Sequence, residues 1–218
     1  MSVKLISYSQ APEGQEVHKD IEELVAYCAR VSNPAGQMNT ETNEKLLGYL
    51  MKHSHWSPFE MVSICLEIDT TRDIAHQIVR HRSFAFQEFS QRYAKPEDMG
   101  YPFVLREARL QDTKNRQNSI DTDDAALREG WVTEQKRVIE AASSAYKWAI
   151  DNGIAKEQAR AVLPEGLTKT RLYMNGSLRS WIHYIDLRAS NGTQKEHMQI
   201  AEACACAIAK IFAPINRL

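Results

Sequence analysis

Residues 80–93, which read RHRSFAFQEFSQRY, place charged and aromatic side chains next to one another within fourteen positions. Three of the side chains are arginines. An arginine fork matches a phosphate or a planar carbonyl system through two hydrogen bonds, and it also stacks on flat rings. The aromatic neighbours can wall a flat heterocycle. The stretch therefore predicts a site for an anionic, aromatic ligand, and a nucleotide fits that description.

Two other interpretations of the same stretch exist. If 86–93 is extended, Glu88, Ser90 and Arg92 share one side, as in an amphipathic surface strand with a network of ion pairs. Ser90 and His81 also suggest a nucleophile with its base, yet no G-x-S-x-G elbow surrounds the serine. Flanking arginines suit a hydroxyl that donates to phosphate, so binding is the favoured role for Ser90.

A second group of arginines follows at Arg160, Arg171, Arg179 and Arg188. On a predicted helix over 177–188, Trp181, Tyr184, Ile185 and Arg188 share one face at helical spacing. An arginine that ends an apolar face points to an anionic or carbonyl-bearing partner. The alternative is that Arg188 reaches past the edge of the core to solvent.

Metal and phosphate-loop chemistry has little support. The sequence lacks G-x-G-x-x-G, G-x-x-x-x-G-K-[ST] and H-E-x-x-H. His53 and His55 with Glu60 suggest a metal site, but no second cluster completes a coordination sphere. We predict no metal.

The elements that must position these residues follow from hydrophobic periodicity and turn signals. Residues 111–124 are polar and predict a loop or short excursion, and Pro12 with Gly14 predicts a turn. Strands and helices are interspersed without a βαβ period, which predicts a single α+β domain over 1–218 with a mixed or antiparallel sheet flanked by helices. The predicted strands are 3–8, 61–68 and 167–174, and the predicted helices are 18–32, 41–53, 71–82, 124–152, 156–162, 177–188 and 195–212.

Composition narrows the class of protein. The 218 residues carry a net charge of −1, so no global basic field draws the chain to nucleic acid or to a membrane surface. No apolar run has the length of a membrane span, and the N-terminus does not read as a signal peptide. Four cysteines without a C-x-x-C pair predict reduced core thiols. We expect a cytoplasmic protein that binds small molecules.

The motifs resemble those of the flavin-dependent thymidylate synthases. RHRSFAFQEFS (80–90) fits that family's Arg-His-Arg, seven residues, Ser pattern. YLMKHSHWSPFE (49–60), ARAVLP (159–164) and SLRSWIHYIDLRAS (177–190) are similar to family segments in the same order. The resemblance implies conversion of dUMP to dTMP, with methylenetetrahydrofolate as carbon donor and NADPH as reductant through FAD. It also implies a homotetramer whose active sites lie at subunit interfaces.

The resemblance implies roles position by position. Arg188 falls on the arginine that polarises the uracil ring, which makes it the catalytic residue. The positions implied to bind dUMP are Gln77, Arg80, Glu88, Phe89, Ser90, Gln91, Arg92, Arg160 and Arg188. The positions implied to bind FAD are His55, Ser57, Arg80, His81, Arg82, Glu88, Ser177, Arg179 and His183.

The chain departs from the family pattern at three positions. Gln87 and Ser177 stand where many members have asparagine, and Gly192 replaces a histidine found in some relatives. Two competing functions remain at this level. One is an RNA-binding module that stacks bases on aromatics beside arginines, and the other is a flavoprotein reductase that binds a nucleotide without methyl transfer.

Overall fold

Alternating burial along residues 63–71 marks the central strand, where Ile64, Leu66 and Ile68 point into the core. The computed structural model describes residues 1–12 and 20–217. A four-stranded antiparallel sheet has the order β1-β2-β6-β3, and β4 and β5 form a separate hairpin. The strands are β1 (Ser2–Tyr8), β2 (Ser63–Thr71), β3 (Phe84–Glu88), β4 (Arg109–Gln111), β5 (Ser119–Asp121) and β6 (Lys169–Ser177).

Seven α-helices lie within the described residues. Local capping explains where three of them begin, because the side chains of Asp20, Asp124 and Ser177 each accept a hydrogen bond from a backbone amide three residues on. The helices are α1 (Ile21–Ala29), α2 (Asn43–Lys52), α3 (Arg72–Ile78), α4 (Ala125–Asp151), α5 (Lys156–Ala159), α6 (Leu178–Arg188) and α7 (Lys195–Ala209).

The main core is a single cluster in which the sheet packs against α1, α2, α3, α6 and α7. Trp181 and Tyr184 of α6 are the largest side chains that this cluster buries completely. The long helix α4 packs through two smaller clusters, one with Phe103 and Leu167 and the other with Ala159. The antiparallel α+β domain predicted from the sequence is therefore confirmed.

Several boundaries differ from the predictions. The extended conformation considered for 86–93 holds only to Glu88, because the backbone amides of Tyr93 and Ala94 both donate to the Ser90 carbonyl and close a turn. The polar stretch 111–124 contributes to a hairpin rather than only to a loop. Cys206 is exposed, so the prediction of a core position is wrong for this cysteine. The predicted Gly14 turn and helix positions 18 and 19 lie outside the described residues.

Candidate active site

The turn that carries the Arg-His-Arg motif lies along helix α6. The His81 amide donates to the Ile78 carbonyl, so the turn begins where α3 ends. The Ser180 hydroxyl donates to the Ser83 carbonyl at 3.3 Å. At the other end of α6, Arg188 Nε donates to His81 Nε2 at 3.0 Å. Side chains from both ends of α6 therefore hold the motif.

A close contact across two strands fixes the start of β3. Phe84 pairs with Gly176 of β6, and a Cβ at that glycine would overlap the Phe84 ring. The ring also meets Trp181 edge-on, with centroids 4.9 Å apart. Glycine at 176 thus lets the Phe84 ring pack onto the sheet and against α6, directly after the Arg-His-Arg turn.

The His81–Arg188 pair fixes one protonation state. Arg188 can only donate, so Nε2 of His81 must be the unprotonated nitrogen of a neutral imidazole. Burial, followed by the nearby Arg188 charge, lowers the pKa of His81 below its ordinary value. The two terminal nitrogens of Arg188 form no hydrogen bond with any described residue. The predicted position of Arg188, at the end of a buried face, is confirmed.

A line of buried and half-buried polar side chains behind this pair was not predicted. The Gln77 amide is occupied at both ends, since Nε2 donates to Gln194 at 2.8 Å and Oε1 lies 3.2 Å from His197 Nδ1. His197 Nε2 in turn lies 3.1 Å from the Tyr184 hydroxyl. His197 is fully buried among apolar neighbours of α7, so in the sequence it belongs to an ordinary apolar helix face.

Gln194 continues this line to Glu196, a buried carboxylate that two arginines hold. Arg109 Nη2 lies 2.5 Å from Glu196 Oε1, and Arg106 Nη1 lies 3.3 Å from the same oxygen. Burial alone would raise the pKa of Glu196, but the hydrogen bond from Arg109 and the charge of Arg106 hold it below its ordinary value. Arg106 also bridges to Asp73 at the start of α3. Glu196 is therefore a fixed anion between α3, α7 and the segment before the hairpin.

The beginning of α6 gathers several of the residues predicted to bind FAD. Arg179 donates to Glu60 at 2.7 Å, and the His183 ring stands edge-on to Trp56 with centroids 4.7 Å apart. Ser177 caps the helix, which occupies its hydroxyl. Within the adjoining segment, Ser57 begins the 3-10 turn 57–60, and Ser57 and His55 are both exposed.

Several of the residues predicted to bind dUMP gather at the opposite end of β3. Glu88 accepts from the Thr170 hydroxyl at 2.8 Å and from Arg72 at 3.3 Å. The Phe89 amide donates to the Arg171 carbonyl, which holds the following chain against β6. Glu88 is thus restrained by two partners of its own chain.

The turn after Glu88 meets the segment that contains Arg160. Arg92 Nε lies 3.4 Å from Glu157 Oε2, and Arg160 donates to the Glu157 carbonyl at 3.3 Å. Gln91 is buried, and its Nε2 has no hydrogen-bond partner among the described residues. Arg92 and Arg160, far apart in sequence, therefore lie together beside Glu157.

The predicted site residues form two groups. One group surrounds α6, and the other lies where β3 ends. Clefts of about 610, 430 and 210 Å³ are lined by other residues. The guanidinium groups of Arg80 and Arg82 are exposed and pair with no described residue. Arg80, Arg82, His55 and Ser57 thus lie on open surface, whereas Gln91 is buried.

No helix within residues 1–12 and 20–217 combines the length and the apolar character needed to cross a bilayer. In that same part of the chain, no group of three or more His, Cys, Asp or Glu side chains is arranged to hold a metal ion. The rings of His53 and His55 stand 6.3 Å apart.

A solved structure with a similar fold indicates the class of protein. The chain is similar to the crystal structure of a UMP/dUMP methylase, PolB, from Streptomyces cacaoi bound with 5-Br dUMP. The TM-score is 0.82 at 27% identity, over 99% of this chain and 93% of the other. The fold is shared with a nucleotide-methylating enzyme.

The family described as thymidylate synthase complementing protein matches residues 15–215, and the chain belongs to this family. It is 49% identical to the probable flavin-dependent thymidylate synthase of Paramecium bursaria Chlorella virus 1, over all of this chain and 98% of the relative. It is 50% identical to the flavin-dependent thymidylate synthase of Synechocystis sp., over 88% of this chain and 86% of the relative. The resemblance seen in the sequence is confirmed.

Proposed function

We propose that this enzyme converts dUMP to dTMP by reductive methylation, with methylenetetrahydrofolate as carbon donor and NADPH as reductant through bound FAD. The observation that carries the proposal is the His81–Arg188 pair, in which Arg188 Nε donates to His81 Nε2 at 3.0 Å. This pair joins the Arg-His-Arg motif to the end of α6 in a chain that belongs to the thymidylate synthase complementing protein family.

Arg188 supplies the electrostatic step. Uracil becomes a carbon nucleophile when negative charge spreads through N3 and its carbonyl groups, and a fixed cation stabilises that charge. The Nε–H of Arg188 donates to His81, so the two terminal nitrogens of Arg188 remain available to bind a planar carbonyl system. Trp181 and Tyr184 are buried on the face that Arg188 ends, which anchors its stem.

The remaining dUMP contacts fall to the group at the end of β3. Arg92 and Arg160 lie together beside Glu157 and are suited to the phosphate. The Ser90 hydroxyl lies in the turn beside them and donates to the same anion. Glu88, Phe89 and Gln91 shape the nucleotide pocket around this turn, and Gln77 and Arg80 approach from the Arg-His-Arg side.

The residues around α6 fit a dinucleotide flavin. Arg80 and Arg82 present exposed guanidinium groups without partners among the described residues, as an anionic pyrophosphate requires. His183 beside Trp56 offers an aromatic edge for a flat ring system. The polar lining is completed by His55, Ser57, His81, Ser177 and Arg179. Bound FAD would pass reducing equivalents from NADPH to the transferred carbon.

The two groups of site residues belong, in this proposal, to neighbouring subunits of a homotetramer. Their division into two groups supports this arrangement, because neighbouring chains can bring the α6 group of one subunit to the β3 group of another. The enzyme then works as a cytoplasmic protein on small molecules, with neither nucleic acid nor membrane as partner.

The test is NADPH oxidation by the purified protein, followed together with the visible spectrum of bound flavin. We expect a flavin spectrum, oxidation that requires both dUMP and methylenetetrahydrofolate, and dTMP as the product. Oxidation that proceeds without dUMP would identify a simple reductase instead. A preference for UMP over dUMP would instead assign UMP, the other nucleotide in the name of the Streptomyces cacaoi UMP/dUMP methylase. A colourless protein that binds RNA would contradict the proposal.

A further inference from the structure

Behind the His81–Arg188 pair, a line of hydrogen bonds joins α6, α7 and α3. It runs from the Tyr184 hydroxyl to His197 Nε2 at 3.1 Å, and from His197 Nδ1 to Gln77 Oε1 at 3.2 Å. It continues from Gln77 Nε2 to Gln194 Oε1 at 2.8 Å, and from Gln194 Nε2 to Glu196 Oε2 at 3.0 Å. His197 is fully buried, so both ring nitrogens depend on these partners.

The direction of every hydrogen bond in this line follows from Glu196. An ionised carboxylate only accepts, so Gln194 must present its NH₂ group to Glu196 and its oxygen to Gln77. Gln77 then presents its NH₂ group to Gln194 and its oxygen to His197. An amide oxygen requires a donor, so the proton of His197 lies on Nδ1. Nε2 is left to accept from the Tyr184 hydroxyl.

A second proton on the His197 ring is unfavourable. The groups that face it are Tyr184 and Arg188 of α6, His81 from the turn after α3, and the Gln77 amide of α3. Burial, followed by the charge of Arg188 and the interaction with the His81 ring, lowers the pKa of His197 to about 4. The ring is therefore neutral at physiological pH.

The line touches the predicted catalytic arginine through His81. The Tyr184 and His81 rings meet edge-on with centroids 4.9 Å apart, and the His197 ring stands 6.3 Å from His81 at 85°. Tyr184 and His197 thus form the wall against which the His81 ring is set. A shift of Tyr184 changes where His81 Nε2 points, and with it the plane of the Arg188 fork.

We propose that His197 is a positioning residue for this enzyme, whose Nδ1-protonated ring fixes Tyr184 and Gln77 and so holds the His81–Arg188 pair in place. The inference rests on the proposed function, because the pair is assigned there to drawing charge out of the uracil ring. His197 itself does not touch the substrate.

The first test reads the imidazole directly and needs no turnover. In protein labelled with ¹⁵N-histidine, the signal lost in His197→Gln belongs to residue 197. We expect the shifts of a neutral ring protonated on Nδ1, unchanged as the pH falls from 8 to 5. A ring protonated on Nε2, or one that titrates near its ordinary pKa, would overturn the proposal.

The second test separates positioning from stability. His197→Asn is too short to reach Tyr184, and Tyr184→Phe removes the hydroxyl, so both should lower kcat about 10- to 100-fold while the bound flavin spectrum and the KM for dUMP change little. His197→Gln places an amide oxygen near the former Nε2 and should recover most of kcat. Ile200→Val, which trims a buried side chain one turn further along α7, is the control and should lower the melting temperature without lowering kcat.

The outcomes distinguish the two proposals. A parent enzyme without dUMP-dependent turnover overturns the proposed function and the positioning role together. An active parent whose His197→Asn and Tyr184→Phe variants keep full kcat overturns only the role of His197. If Ile200→Val has a melting temperature similar to that of His197→Asn and loses as much kcat, the effect is general destabilisation. The positioning role is then likewise overturned.

Discussion

Ser90 lies in a turn, and its hydroxyl makes one contact within the described part of the chain, a 3.4 Å hydrogen bond from the Arg92 amide. The nucleophile interpretation needs a base beside this hydroxyl. The proposed base, His81, has its accepting nitrogen occupied by Arg188. The structure therefore favours a serine that binds the substrate through its hydroxyl.

Ser90→Ala should weaken dUMP binding without abolishing turnover. A hydrogen bond to a charged group contributes about 1.5–3 kcal/mol, which corresponds to a rise in the KM for dUMP of roughly 10- to 100-fold. Steady-state kinetics at saturating dUMP measures the remaining kcat, and Ser143→Ala on the exposed side of α4 serves as the control. Loss of all turnover, with a nucleotide trapped covalently on Ser90 of the parent, would restore the nucleophile.

Arg188→Lys should keep the flavin and lose most turnover. A lysine ammonium cannot reproduce both the Nε contact to His81 and the planar fork, and loss of one preorganised donor typically costs on the order of 10²–10³ in rate. Arg137→Lys, a change on the exposed surface of α4, is the control and should match the parent. If Arg188→Lys binds dUMP and turns over near the parent rate, Arg188 is only a residue at the edge of the core.

The sequence predicted some of these residues and not others for a physical reason. The Arg-His-Arg motif and Arg188 stand out because charged side chains interrupt apolar patterns locally. His197 and Glu196 do not stand out, because their partners lie on other elements and only the packing of α6, α7 and α3 brings them together. A buried histidine in an apolar helix pattern gives no local signal of its bonds.

At the scale of elements, α7 contributes a titratable group to the packing between helices. His197 is buried there, and its pKa is lowered to about 4 from the ordinary 6.5. In the unfolded chain this imidazole takes up a proton below pH 6.5, whereas in the folded protein it stays neutral down to about pH 4. The unfolded state therefore binds more protons in this window, and the free energy of unfolding falls as the pH falls through it.

Acid should thus destabilise the packing of α6 and α7. The difference in the pKa of His197 corresponds to roughly 3 kcal/mol lost between pH 7 and pH 4. The pKa values of His81 and of the Glu196 carboxyl are also lowered. Both groups therefore reduce the free energy of unfolding further as the pH falls. Urea unfolding at constant protein concentration across this range measures the slope. His197→Gln should flatten it, and an unchanged slope in that variant would contradict the assignment.

Element boundaries were predicted well where a hydrophobic pattern extends over many residues. They were predicted poorly where a turn ends the element. The range predicted for the longest helix, 124–152, begins and ends within one residue of α4, because its amphipathic pattern and the Asp124 cap agree. The extended conformation considered for 86–93 ends at Glu88, because Ser90 closes a turn that the alternating pattern does not reveal. The hairpin of β4 and β5 was missed because its strands are three residues each and polar.

At the scale of the whole molecule, the surface of one chain is unusual for a monomer. Leu127, Trp131 and Val138 are 42–50% exposed and fall on one stripe of α4, next to the face that packs on the core. The candidate site residues divide into a group around α6 and a group beside Glu157. Both features fit an assembly in which neighbouring chains cover apolar surface and complete each other's sites.

We therefore expect sedimentation to show a particle with four times the mass of the 24.9-kDa chain, and we expect its active sites to be shared. Arg188→Ala removes a residue of the α6 group, and Arg160→Ala removes one beside Glu157. Each variant alone should lose most dUMP-dependent turnover. In mixed oligomers of the two variants, some sites receive an intact Arg188 from one chain and an intact Arg160 from another, so part of the parent activity should return.

Co-expression of the two variants with different affinity tags, followed by purification through both tags, gives the mixed oligomer for this assay. The control is a mixed oligomer of Arg188→Ala with a second, differently tagged Arg188→Ala chain, in which no site contains Arg188 and activity should stay low. Recovered activity only in the first mixture locates the two arginines of one site on different chains. Stable mixed oligomers without recovered activity would show that each chain builds its own site. A stable monomer at micromolar concentration with full turnover would contradict the shared site, because each chain would then build a complete site from its own Arg188 and Arg160.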